Sequence, residues 1–293
     1  MAVVRLRSLG DCVLTTPALD ILKRFRGDLR IGVSIEPRFA DLFTGHPDID
    51  EILAPEPGAV RAFRPDLCLN LHGGTRSAWI TACSGARFRA GFGHYRFSFL
   101  YNERIPRAQE ILSTERVVHT AEHLASAVFH LGAPRCKIPR AKLPPYPDGV
   151  PPNLREDVAI LHPAATADNK TWPAKNFAAL AGQIRQLGLE PVFIGGPGDD
   201  PSPFREWRTV YGARLRDVQE LVATAAIFVG NDSGPAHIAA AFGVPTVVIF
   251  GASDPAIWGP WRSSGEAISS PDGIAGVQVS QVMKALQRLR VNA

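Results

Sequence analysis

No run of about 18 apolar residues occurs in this chain, so no segment reads as a membrane-spanning helix. Cysteine is scarce. Cys12, Cys68, Cys83 and Cys136 show neither C-x-x-C spacing nor a histidine at zinc-ligand distance, so a structural zinc is not expected and the thiols read as reduced. The glycine fingerprint G-x-G-x-x-G is missing after the first strand, which removes the ordinary case for an NAD-dependent oxidoreductase. Arginines at positions 5 and 7 interrupt the opening apolar residues, so no secretory leader is expected and the cytoplasm is the expected compartment. Nor does one sign of charge dominate. Lys and Arg total 32 against 28 Asp and Glu, a net charge of +4 that suits an anionic substrate or membrane surface but equally an ordinary enzyme.

What is present is an alternation. Val3–Leu6 reads as a buried strand, Arg7–Asp11 as a turn, and the residues to about Phe25 as a helix with Val13, Leu14, Ala18, Ile21, Leu22 and Phe25 near helical spacing. Arg30–Ile35 and Asp66–Leu71 read as strands, with helices near Arg38–Phe43 and Ser77–Cys83. From Ala133 to Asn153 the pattern stops. Pro134, Pro139, Pro144, Pro145, Pro147, Pro151 and Pro152 exclude regular structure and predict a stiff interdomain linker. Alternation then resumes. Strands are predicted at Val158–Leu161, Pro191–Gly195, Ile227–Gly230 and Pro245–Phe250. Helices are predicted at Pro173–Leu187 with Pro173 at the first helical position, at Val218–Ala225, and from Pro235 to a stop at Gly243. Two α/β halves with parallel sheets follow, residues 1–150 and 151–293. The last helix, about 277–290, is left free to pack back on the first half.

Three loops carry candidate chemistry. Asn231-Asp232-Ser233-Gly234-Pro235 precedes a helix, whose N-terminal amides and dipole attract phosphate. Read alone, it is also an ordinary helix cap. A carboxylate at Asp232 would repel a phosphate, so it is expected to meet a hydroxyl or to orient the loop. His237, in the first turn, is either a satisfied helix residue or an anion donor. Lys170 lies in the loop after a strand, either solvated or supplying positive charge to a leaving diphosphate. Asp11 opens the first helix, either as a cap or as a general base, and Gly10 beside it would permit an unusual backbone angle. Asp48-Ile49-Asp50 imitates a metal-binding D-x-D, but its apolar neighbours read as packing residues, so no metal is expected. The basic and aromatic run Arg87–Phe97 is either a solvated loop or a docking surface.

The order of these fragments resembles glycosyltransferase family 9, the heptosyltransferases of lipopolysaccharide core assembly. The similar stretches are Arg5–Leu19, His46–Ile52, Leu71–Ser77, Arg89–Phe92, Asp168–Pro173, Gly195–Gly198, Gly230–His237 and Phe250–Pro255. The resemblance implies a GT-B fold, two Rossmann-like α/β/α domains facing each other across a cleft, with acceptor on the first and nucleotide sugar on the second. It implies inverting, metal-independent transfer of heptose from ADP-heptose to a lipid-linked core oligosaccharide, without a cofactor or nucleic-acid partner. Asp11 and Lys170 are then the catalytic candidates. Thr166, Lys170, Gly195, Gly196, Asp232, Ser233, Gly234 and His237 become donor-binding candidates. Ser8, Gly10, His72, Arg76 and Arg89 become acceptor-binding candidates. A lipid-linked acceptor implies peripheral contact with the cytoplasmic face of the inner membrane, helped by Arg87, Arg89 and Arg96. The stretch between Gly198 and Val218 is shorter than the family suggests, and only Asp199 and Asp200 offer a carboxylate for the nucleotide ribose. Two other readings stay open: a GT-B enzyme using another nucleotide sugar, and a non-catalytic sugar-nucleotide-binding protein on the same scaffold.

Overall fold

The computed structural model describes residues 1–144 and 155–291. The chain divides into two compact units, Met1–Pro145 and Tyr146–Ala293. The expected boundary at 150/151 lies outside the described residues, as do Pro145, Pro147, Pro151 and Pro152 of the expected linker. The described part of that linker is fastened to the first unit. Ile138, Ala141 and Leu143 are buried, and the Lys142 amide donates to Thr16 Oγ1 at 3.0 Å.

The first unit contains β1 (Ala2–Val4), α1 (Leu9–Phe25), β2 (Gly32–Ser34), β3 (Glu51–Leu53), α2 (Pro57–Ala62), β4 (Leu67–Asn70), α3 (Thr75–Ala82), β5 (Phe88–Phe92), β6 (Glu103–Ile105), α4 (Ala108–Leu112) and α5 (Thr120–His130). All its strands are parallel, in the order β3-β2-β1-β4-β5-β6. Segment 37–42, predicted helical, forms a 3-10 turn. Pro17 sits well inside α1 rather than near its start, and lacks the N–H that the Val13 carbonyl would accept. The Thr16 hydroxyl donates to that carbonyl at 2.9 Å instead, so the helix continues.

The second unit contains β7 (Arg155–His162), α6 (Ala174–Gln186), β8 (Glu190–Gly195), β9 (Arg208–Tyr211), α7 (Leu215–Ala223), β10 (Ala225–Asn231), α8 (Gly234–Phe242), β11 (Thr246–Ile249), α9 (Pro255–Trp258), β12 (Gly265–Ile268) and α10 (Val279–Val291). Its parallel sheet runs β12-β11-β10-β7-β8-β9. Counted from its own first strand, this is the same winding as in the first unit. Pro173 is the residue before α6, not its first residue. The last helix packs on its own unit: Val282, Ala285 and Leu286 join Phe177, Leu180 and Ile184 of α6 in one apolar cluster with Val247 and Ile249 of β11.

In each sheet the chain first winds one way from a central strand, then returns to wind the other way. The two directions part between β1 and β4, and between β7 and β10. Loops leaving the carboxyl ends of such a strand pair diverge to opposite faces and leave a crevice, where open α/β sheets bind ligands. The pairings Val4 with Asn70 and Gly230 with His162 mark these two places.

Candidate functional site

At the switch point of the first unit, β1 runs straight into Arg5, a charge within an otherwise apolar strand end. Arg5 is buried, and its guanidinium pairs with the Asp11 carboxylate and donates to the Leu71 carbonyl. Asp11 is the third residue of α1. Its second oxygen accepts from the Ser8 hydroxyl at 2.9 Å and the Ser8 amide at 3.3 Å. The carboxylate is thus held from both sides while its side chain stays 18% exposed, enough to meet a ligand. Gly10 lies inside α1 and is not among the glycines with positive φ, so the freedom expected for it is not used; the non-proline cis bond is Arg7–Ser8.

The loop after β4 completes this half. Buried Asn70 accepts from the His72 and Gly73 amides at 2.9 and 3.1 Å, and donates to Tyr101 Oη at 2.8 Å. Gly73 has φ +78°, and the Tyr95 ring covers the place a Cβ would take. His72 Nδ1 lies 3.1 Å from the Arg7 carbonyl. A carbonyl only accepts, so Nδ1 carries the proton and Nε2 keeps its lone pair in the neutral ring. Burial, then the Arg5 charge, lower the His72 pKa, which favours that neutral ring.

Two acceptor candidates do other work. Arg89 stands in β5 and donates to the Leu100 and Ala86 carbonyls at 3.4 and 3.2 Å, tying strand to turn. Arg76, on α3, donates to the Pro55 carbonyl at 2.9 Å. Ser8, Asp11 and His72 share the switch point; Arg76 and Arg89 are committed elsewhere.

At the switch point of the second unit, Lys170 and Asp232 meet. Lys170 Nζ lies 3.2 Å from Asp232 Oδ2, and the Ser253 hydroxyl donates to that same oxygen. Trp172 anchors the lysine loop: it is fully buried, its indole N–H donates to the Val277 carbonyl at 2.9 Å, and its amide donates to Asn231 Oδ1 at 3.1 Å. Losing such a side chain costs about 3–5 kcal/mol. Asn231 Nδ2 donates to the Pro163 carbonyl at 2.7 Å, so one buried amide joins the loops after β7 and β10. The loop after β11 closes on the lysine from the other side. The Ala252 amide donates to the Asn169 carbonyl at 3.3 Å, and a Cβ on Gly251 would overlap that carbonyl oxygen.

Ser233 caps α8, Gly234 is its first residue, and His237 is buried in its first turn. The Ser233 hydroxyl donates to the Asn231 carbonyl at 3.1 Å and lies 2.9 Å from His162 Nδ1, so Nδ1–H is the donor of that pair. Burial lowers the His162 pKa to about 4, against a weaker upward pull from Asp199. Thr166 is exposed in the loop after β7. The two glycine candidates are already engaged. A Cβ on Gly195 would strike the Tyr211 ring, and the Gly196 amide donates to Asp199 Oδ2 at 2.7 Å. Asp199 is therefore occupied by its own turn, and Asp200 likewise accepts from the Ser202 amide and hydroxyl at 2.9 and 2.7 Å.

None of Arg5, Asn70, His162, Asn231, Gly251 and Ser253 was given a role of its own from the sequence, although Asn231 heads the quoted loop before α8 and Gly251 and Ser253 lie in Phe250–Pro255. The one signal was Arg5, since a charge inside an apolar strand demands a partner. Asp50, of the D-x-D imitation, accepts from Lys23 Nζ at 2.8 Å and from the Ile31 amide at 2.7 Å, which fastens it to β2. Among the described residues, no three His, Cys, Asp or Glu side chains converge as a metal site.

Two doubly wound units, each with a polar cluster at its switch point, define a two-unit α/β enzyme scaffold of the kind that handles nucleotide-linked substrates. A family model described as glycosyltransferase family 9 (heptosyltransferase) matches residues 59–284. The chain belongs to that family and is a glycosyltransferase. It is 25% identical to lipopolysaccharide heptosyltransferase 3 of Escherichia coli K12, over 88% of this chain and 84% of that one. It is 23% identical to lipopolysaccharide heptosyltransferase 1 of Salmonella typhimurium, over 92% and 94%. Among solved structures, a family 9 glycosyltransferase from Veillonella parvula superposes with TM-score 0.87 at 20% identity, covering 100% of this chain and 97% of that one. An E. coli heptosyltransferase determined with ADP superposes with TM-score 0.81 at 18% identity, covering 98% and 99%. The GT-B architecture stands on these likenesses in fold.

Proposed function

We propose that this enzyme transfers heptose from ADP-heptose to a sugar hydroxyl of a lipopolysaccharide core acceptor, with inversion and without a metal. The observation that carries the reading is the Lys170–Asp232–Ser253 cluster beside the N-terminus of α8. It offers one cation and one helix dipole to a departing diphosphate, which is what leaving-group stabilisation requires. Asp232 serves Lys170: it holds the ammonium where a diphosphate can recruit it, and meets the donor through hydroxyls rather than phosphates.

In the reaction, an acceptor hydroxyl oxygen bonds to the anomeric carbon as the bond from that carbon to the diphosphate oxygen breaks. The proton passes to Asp11, and ADP departs with the electron pair. Arg5 and Ser8 fix the orientation of Asp11. Lys170 supplies the positive charge to the diphosphate that a divalent ion supplies in metal-dependent transfer, and the engagement of Asp50 with Lys23 and Ile31 is consistent with this. Thr166, Ser233, Gly234 and His237 line the donor side, and Ser8 and His72 the acceptor side. The enzyme works at the cytoplasmic face of the inner membrane, where the acceptor's lipid resides. Related enzymes support the donor: an E. coli heptosyltransferase is solved with an ADP-heptose analogue. Isothermal titration with ADP and UDP in the presence of a chelator tests the reading. ADP should bind well above UDP; preference for UDP would move the function to another nucleotide sugar.

A further inference from the structure

Between Asp66 and Glu103 the chain holds four arginines, at 76, 87, 89 and 96, and not one carboxylate. The same stretch carries three exposed aromatics: Trp79 is 61% exposed, Phe88 48% and Phe99 67%. Their elements converge, since the turn at 98–100 packs on both α3, which carries Trp79, and β5, which begins with Phe88. Large aromatics left in water on neighbouring elements mark a surface that something else covers.

The surface is held firmly. The Asn102 side chain accepts from the Arg89 amide at 2.7 Å and donates to the Arg87 carbonyl at 2.8 Å, clamping the backbone on both sides of Phe88. Arg104 Nε donates to the Ser98 carbonyl at 3.2 Å and steadies the turn that presents Phe99. On α3, Ser77, Ala78, Ile80 and Thr81 are buried, so Trp79 points outward from an anchored helix.

Its charge is unbalanced. Some exposed arginines elsewhere find carboxylates, as Arg26 does with Asp28, Arg30 with Glu51, Arg116 with Glu122 and Arg288 with Glu266. Among the described residues no carboxylate forms an ion pair with Arg87 or Arg96. Arg87 instead lies 5.1 Å over the Phe88 ring, and Arg96 5.3 Å over Phe97, whose ring is 6.3 Å from that of Phe99.

We infer that Trp79, Phe88 and Phe99, with Arg87 and Arg96, form the surface by which the first unit docks on an anionic lipid bilayer. Aromatic rings settle at the headgroup level while guanidinium groups meet lipid phosphates, and unpaired arginines complement an anionic surface without further rearrangement. The inference deepens the proposed function, and rests on it for the reason a membrane is approached.

The test is sedimentation of the full chain with phosphatidylcholine vesicles, with and without phosphatidylglycerol. The wild type should bind the anionic vesicles only, and should release them as salt rises. Arg87→Gln with Arg96→Gln should weaken binding roughly thirtyfold, since each basic residue near such a surface contributes about fivefold. Trp79→Ala with Phe99→Ala should weaken it at least tenfold, with circular dichroism and melting temperature unchanged because both rings are exposed. No binding of anionic vesicles, or equal binding by both double variants and wild type, overturns the inference, as does capture of single-stranded DNA in preference to vesicles. Turnover on a delipidated acceptor should stay the same in both variants. That arm reports the proposed function separately: loss of all turnover in the wild type would sink that reading and leave the vesicle result standing.

Discussion

Lys170 Nζ lies 3.2 Å from Asp232 Oδ2, an oxygen that also accepts the Ser253 hydroxyl. One carboxylate therefore holds the Lys170 ammonium and is itself steadied by a hydroxyl from a third loop. In the proposed reaction these contacts divide two jobs that the bare sequence merges, charge supply by Lys170 and charge placement by Asp232 and Ser253. Lys170→Met should lower turnover about 10²–10³-fold. Lys170→Arg should recover little, because a planar fork does not replace a compact ammonium. Steady-state rates on ADP-heptose decide this, and an unchanged rate in Lys170→Met would place the lysine in solvent.

Ser253→Ala should reduce turnover by less than Lys170→Met, with Ser253→Thr restoring it. Gly251→Ala acts on the same lysine by a different route. Its Cβ would overlap the Asn169 carbonyl oxygen and push back the lysine loop. We expect ADP affinity to fall in Gly251→Ala and the melting temperature to fall with it, since the atom that must give way is backbone, measured by calorimetric titration and thermal denaturation. Wild-type affinity in that variant would mean that the two loops move apart without consequence.

Asp11, the proposed base, is also the partner of a buried guanidinium. Asp11→Ala should cost about 3 kcal/mol of stability because Arg5 is left buried without its carboxylate. Asp11→Asn keeps the shape and is the cleaner probe of chemistry. Its turnover should fall about 10²–10⁴-fold. Near-normal turnover in Asp11→Asn would remove the residue from proton transfer.

His162 gives a pH signature. Its ordinary value of 6.5 is lowered to about 4 by burial, so the unfolded chain takes up the proton first as pH falls. Stability from the neutral ring is full above about pH 6.5 and is lost between there and about pH 4, which amounts to about 2 kcal/mol from pH 7 to 5. His123, stacked on Phe92 at 4.0 Å and also lowered to about 4 by burial, adds in the same direction. Urea denaturation at pH 7 and 5 should show His162→Gln losing less stability than wild type over this interval. Equal losses would contradict the burial account.

Much of the frame was legible in the sequence because buried parallel strands are short apolar runs closed by glycine or proline. The helix predicted from Pro235 to Gly243 is α8, and Gly243 does take a positive φ of 81°. Five strands escaped. β5 contains Gly91 and Phe88, a phenylalanine flanked by Arg87 and Arg89, and reads as a loop; the Tyr101 ring lies where a Gly91 Cβ would be, so its glycine is a packing requirement. β3, β6, β9 and β12 are short strands whose residues are mostly part-exposed or exposed, and nothing periodic marks them. At the candidate site, Asp11, Lys170 and Asp232 could be nominated from the sequence because a loop after a strand is where ligands meet α/β sheets. Ser253 and Asn231 could not, since their role exists only once distant loops are brought together. Gly195 illustrates the converse: a glycine beside a loop suggests a donor, whereas the Tyr211 ring explains it.

The most direct measurement is turnover of ADP-heptose with a delipidated core oligosaccharide in the presence of excess chelator, following ADP release and determining the product's anomeric configuration by nuclear magnetic resonance. The account predicts ADP release at the same rate with and without chelator, and an anomeric configuration inverted relative to the donor. Transfer from a UDP-sugar but not from ADP-heptose, dependence on a divalent ion, or retention of configuration would contradict it.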